Sequence, residues 1–158
     1  MIIYAINDYV WELLQQRHGW KEIKGNRPLL PAQQQPEFMN TSDPFLLYAS
    51  SAEYNNGAVE SMDSDIISYA IFDDSVDDAN LAAETIKNAF LDFNSAHNIT
   101  KWVKQSSGVV NDDRHIITYT EVMDRETSGI IASEGGKAMS TVTVRVGYKT
   151  VPADYDLT

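Results

Sequence analysis

The chain contains no cysteine, which removes disulfide scaffolds, thiolate nucleophiles and cysteine-based zinc sites together. It is also short of positive charge: 12 Lys plus Arg stand against 23 Asp plus Glu, a formal net charge of −11. A nucleic-acid-binding face needs clustered cations that displace counterions from phosphates, and here the cations are scattered, so specific DNA binding is not expected. No apolar run approaches the ~20 residues that cross a bilayer. The opening Met1-Ile2-Ile3-Tyr4-Ala5-Ile6 lacks the basic region and long apolar core of a secretory signal. The expectation is synthesis in the cytoplasm and no membrane partner.

Motifs for chemistry are equally sparse. His18, His97 and His115 lie far apart and none sits in metal-ligand spacing such as HExxH. Gly135-Gly136-Lys137 lacks the upstream glycine of a phosphate loop. Ser107-Gly108 and Ser128-Gly129 lack the flanking pattern of a nucleophile elbow. The pairs Asp73-Asp74, Asp77-Asp78 and Asp112-Asp113 fit turn and cap chemistry, and the run from 73 to 78 enters a helix instead of alternating ligands as a calcium loop does. No catalytic residue, metal or cofactor is therefore expected.

What is present is organised around residues 65–96. Asp65-Ile66-Ile67-Ser68-Tyr69-Ala70-Ile71-Phe72 is β-branched and aromatic without glycine or proline, as a packed strand should be. Ser75 is placed to cap a helix by accepting from the N–H of Asp78, with Asp77 and Asp78 at the positive end of the dipole. Ala79, Ala82, Ala83, Ile86, Ala89, Phe90 and Phe93 then recur at three- and four-residue steps and form one apolar stripe. A strand feeding such a helix implies that the helix lies back on the sheet, its alanines allowing close approach.

At 158 residues the chain reads as a single α+β domain. Residues 1–20 form an N-terminal helix, with Ile3, Ile6, Val10, Leu13 and Leu14 on one stripe and Gly19 as the stop. Trp11 and Trp20 belong either to the domain's own core or to a partner surface. Residues 21–44 hold Pro28, Pro31, Pro36 and Pro44 and a Gln33-Gln34-Gln35 run, an irregular arm that is either disordered or laid on a neighbour.

The core spans 45–150. Strands are expected at 45–50, 65–72, 114–123 and 138–148, the last alternating strictly through Val142, Val144, Val146 and Tyr148. They make a mainly antiparallel sheet of about four strands packed by the long helix and the N-terminal helix. A short strand or turn is expected within 98–110. Residues 124–137 read as a glycine-hinged hairpin that protrudes with Ile130-Ile131 near its tip, either a loose end or an insertion loop. Residues 151–158 form a polar tail.

This order of helix, irregular arm, strand, loop, strand, long helix and two long strands around a hairpin resembles the tail-terminator and tail-completion proteins of tailed bacteriophages. The residues that carry the resemblance are 66–72 running into 75–93, then 116–123 and 139–148 around Ile130-Ile131. The resemblance implies a structural virion protein, not an enzyme. Copies would form a hexameric ring that caps the tail tube, stops its polymerisation and joins it to head–tail connector or neck proteins, with the sheath a further contact in a contractile tail. DNA would only pass through the lumen, repelled by its carboxylates. Contact candidates are Arg27, Pro28, Leu29, Leu30 and Phe38 in the arm, Ile130, Ile131 and Lys137 in the hairpin, and Tyr155 and Leu157 in the tail. Two other readings stay open: another neck or tail-tube subunit, and a small α+β binding domain or enzyme whose pocket is lined by Tyr48, Tyr69, Phe72 and Tyr119.

Overall fold

A computed structural model describes residues 2–32, 43–53, 63–91, 113–131 and 137–152. The chain runs α1 (Ile2–His18), β1 (Leu29–Pro31), β2 (Phe45–Glu53), β3 (Asp63–Asp73), α2 (Val76–Leu91), β4 (Asp113–Ile131) and β5 (Lys137–Pro152). The strands form one mixed sheet in the order β1-β2-β3-β5-β4. β1 pairs parallel to β2 and every other pair is antiparallel. The fold is α+β, with two helices and five strands.

The register follows the side-chain alternation. Ile67, Tyr69 and Ile71 of β3 lie beside Val144, Val142 and Ser140 of β5. With Leu46 of β2, this row forms the dry face of the sheet. On it rest Ile3, Ile6, Val10 and Leu14 from α1 and Ala82, Ala83, Ile86 and Phe90 from α2, all buried. Burial of Ile86 and Phe90 contributes about 1.5–3 kcal/mol each. Trp11 and Trp20 are 3% and 4% exposed, which assigns both to the chain's own core and removes the partner-surface reading. Tyr69 is wholly buried and donates its hydroxyl to Oδ1 of Asn7 at 2.9 Å, tying β3 to α1 through an otherwise apolar layer.

Both helix ends close as the sequence predicts. The N–H of Asp78 donates to Oγ of Ser75 at 3.0 Å, satisfying one of the orphan donors at the start of α2. α1 stops at Gly19, whose N–H still donates to the carbonyl of Gln15 at 3.1 Å and whose φ of +64° turns the chain so that the N–H of Trp20 reaches back to the carbonyl of Leu14 at 3.3 Å.

The opposite sheet face is mostly polar, with Ser68 and Thr143 hydroxyls 3.1 Å apart and Arg145 Nη1 donating to Glu121 at 3.2 Å. One end of it carries a second small core, where Phe45 and Phe72 stack at 4.8 Å beneath Ile23. Ile23 packs on that face immediately before a tight turn. Ile23 and Asn26 exchange both backbone hydrogen bonds, and Lys24 and Gly25 between them have φ of +53° and +79°. This is a two-residue type I′ turn, whose first central position normally belongs to Asn, Asp or Gly. A lysine held there costs on the order of 1–3 kcal/mol.

Two expectations change. The sheet has five strands, not about four, because Leu29–Pro31 within the segment read as an irregular arm joins β2 as an edge strand. The segment read as a protruding hairpin is largely strand: Asp124, Arg125, Glu126 and Thr127 pair with Thr143, Val142, Thr141 and Ser140, and Ile130 and Ile131 with Ala138 and Lys137. Since β5 there also pairs with β3, this part of β4 lies along the body of the sheet. The element expected within 98–110, and Phe93, lie outside the described residues.

Replacing Tyr69 by Phe leaves the buried Asn7 carbonyl without its donor, and should destabilise the fold by about 1–3 kcal/mol. Urea unfolding measures it; an unchanged midpoint would mean that the bond contributes nothing net.

Candidate functional site

The contact candidates from the sequence divide into three groups. Arg27, Pro28, Leu29, Leu30 and Lys137 make contacts within the chain. Arg27 pairs with Asp8 and sits 5.9 Å from the centre of the Trp11 ring. Pro28 is buried, and its carbonyl accepts the N–H of Leu46 at 2.8 Å. Leu29 packs on the helix-side core and Leu30 on the smaller cluster behind the sheet. The Lys137 side chain is 3% exposed, and its Nζ lies 3.0 Å from Asp74 Oδ1, so it anchors the start of β5 to the β3–α2 turn. Ile130 and Ile131 lie in the β4 ladder, with their side chains outside the described residues. Phe38, Tyr155 and Leu157 also lie outside them.

The four aromatic residues proposed as a pocket do not converge. Tyr48 and Tyr69 belong to the helix-covered face. Phe72 lies on the other face in the small Phe45 cluster. Tyr119 is far along that same face, its ring folded over Gly147 so closely that a Cβ there would meet it at 2.0 Å.

A concavity does form where sequence motifs gave no hint of one. His18 at the end of α1, Trp20, Pro44, Asp73 at the end of β3, and Asp78 and Leu81 in the first turns of α2 line a cleft of about 280 Å³. His18 Nε2 is 2.6 Å from Thr85 Oγ1, and the Thr85 hydroxyl donates to the carbonyl of Leu81 at 3.2 Å. Thr85 therefore accepts from His18, which places the imidazole proton on Nε2. Burial holds the imidazole below its ordinary value of 6.5, with Arg17 adding to the effect and Asp73 and Asp78 opposing it. Burial pushes the Asp73 carboxyl up, against the backbone N–H of Asp74, which donates to it at 2.8 Å. The cleft thus presents an exposed leucine and two carboxylates, with the buried Trp20 in its lining, a surface suited to a cationic or amphipathic side chain. Among the described residues no group of three His, Asp or Glu side chains could hold a metal ion.

Asp65, at the far end of β3, is likewise raised by burial and meets the Tyr148 hydroxyl at 3.4 Å. Comparison with protein-family models and with curated proteins finds no match to this chain.

The two kinds of shift have opposite consequences. For His18 the folded state binds the proton less readily than the unfolded chain, so stability is lost as pH falls through 6.5 towards the lower folded value. Asp65 and Asp73 hold their protons more tightly when folded, so their ionisation costs stability as pH rises from 3.8 through their raised values. A His18→Gln variant keeps a donor for Thr85 and should show a flatter denaturation midpoint between pH 7 and about 5.5. Asp73→Asn should raise the midpoint at neutral pH; a fall would mean that the carboxylate is stabilising in place.

Proposed function

We propose that this chain is a building block of a phage virion, a tail terminator whose copies form a ring that caps the tail tube, ends its polymerisation and meets the head-side connector. The observation that supports the reading is the order α1-β1-β2-β3-α2-β4-β5, which ends in two long paired strands with β4 at the edge of the sheet. This is the order of elements on which the resemblance to tail-terminator proteins rests, with β1 added inside the proline-rich segment. The cysteine-free chain and the burial of Trp11, Trp20, Phe45, Tyr69, Phe72 and Phe90 in the core are in keeping with a structural subunit. Its partners on this reading are further copies of itself, the tube protein, connector or neck proteins and, in a contractile tail, the sheath. The virion is its destination after synthesis in the host cytoplasm, and the −11 charge of each copy keeps passing DNA from adhering to the lumen.

Light scattering on the purified chain, alone and mixed with tube protein, tests the proposal. A ring of roughly six copies should weigh roughly 100 kDa, against 17.7 kDa for one chain. A species of 17.7 kDa under both conditions would overturn it. So would thermal stabilisation of that monomer by a small metabolite, which would favour a binding domain or enzyme instead.

A further inference from the structure

We infer that the corner made by the end of α1 and the turn after it is a contact through which one copy grips the next, with Lys24 as its leading residue; this rests on the ring reading above. Among the cations whose side chains the structure describes, Lys149 has an interaction of its own, and the others fall into two sets. Arg27, Lys87, Lys137 and Arg145 each ion-pair within the subunit. Arg17, Lys21 and Lys24 are exposed, and no described carboxylate forms an ion pair with them. All three fall within eight residues of sequence, where Glu22 is the one opposing charge.

Backbone geometry singles out Lys24 among them. It occupies the first central position of the type I′ turn with φ of +53°, where glycine or asparagine would sit without strain. The turn closes through the backbone pairing of Ile23 with Asn26 and the Asn26 side-chain amide, which donates to the Lys24 carbonyl at 3.5 Å, so the lysine side chain is not needed to form it. A strained residue whose side chain does nothing for its own turn is explained by what that side chain meets outside the subunit.

Charge indicates a second copy as the occupant. Two bodies of −11 repel, and local cations of one facing carboxylates of the other offset that repulsion. Among the described residues, Arg17, Lys21 and Lys24 are available for that contact, and a copy of this chain supplies carboxylates in excess. Duplex DNA is a poor fit, since three cations neutralise too few phosphates to overcome the repulsion of the whole molecule.

The test compares wild type, Lys24→Gly, Lys24→Arg and the double variant Arg17→Glu/Lys21→Glu by sedimentation over a concentration series, with Lys87→Glu as a charge control elsewhere. Lys24→Gly should leave the melting temperature unlowered, because it relieves the turn, yet weaken association about tenfold. Lys24→Arg and Lys87→Glu should associate as wild type does, the double variant should not, and added salt should weaken wild-type association. Rings that form equally well from Lys24→Gly and the double variant would overturn this contact and leave the ring reading standing. A lowered melting temperature in Lys24→Gly would make the lysine structural and overturn it too. A wild-type chain that stays monomeric with tube protein would end both.

Discussion

The approach of α2 to the sheet is the constraint on which the rest of the molecule depends. Ala79, Ala82 and Ala83 are buried along the first turns of α2, and side chains this small let the helix backbone come down onto β5 and β4 until Ile86 and Phe90 seat between them. Only then is there room beside α2 for α1, whose Ile6, Val10 and Leu14 fill the rest of the same face. A larger residue at Ala82 or Ala83 would lift α2 and open both contacts at once, since a close-packed interior transmits a local change in volume. The two helices are then locked to each other and to the sheet by polar bonds: Tyr69 to Asn7 beneath α1, His18 at the end of α1 to Thr85 within α2, and Thr120 to the carbonyl of Phe90 at the end of α2.

Because both helices occupy one face, the elements that join them gather at one end of the sheet, and the cleft is the result. α1 ends at His18, β3 ends at Asp73, and α2 begins with Asp78 in its first turn, so a histidine and two carboxylates meet without any motif in sequence linking them. Asp74 belongs to the same junction, where Lys137 is drawn in from the start of β5. The junction holds together three elements that lie far apart along the chain, and its charges are arranged by that need before any other.

How much of this was legible in sequence depended on whether the signal was local and periodic. The stripe from Ala79 to Phe90, the Ser75 cap and the Gly19 stop were readable because each is set by residues within a turn or two of one another. Val142, Val144 and Val146 were readable for the same reason, since β5 is flat enough to keep a period of two. β1 was missed: three residues are too few to show a period, and Leu-Leu-Pro between other prolines looks like coil. The second half of β4 was missed because register shifts at 117/119, 122/124 and 127/129 each insert a residue that reverses which face follows, so alternation is lost although pairing is not. Gly129 within that stretch then read as a hinge. The cleft left no trace in the sequence, because residues 18, 20, 44, 73, 78 and 81 come together only through the topology.

Those same register shifts bear on how the molecule can associate. β4 is 19 residues long and lies at the sheet edge, and among the described residues nothing pairs with its outer side. A flat strand of that length would be a template for pairing with any extended chain. Three irregularities along it twist and interrupt the row of outward N–H and C=O groups, which is how natural sheets blunt an exposed edge. The other edge, β1, is only three residues long and ends in Pro31, which has no N–H to donate. With backbone pairing obstructed at both edges, specific association has to run through side chains. In a chain of −11, that gives weight to cations such as Arg17, Lys21 and Lys24, which among the described residues have no ion pair and lie close together between α1 and β1.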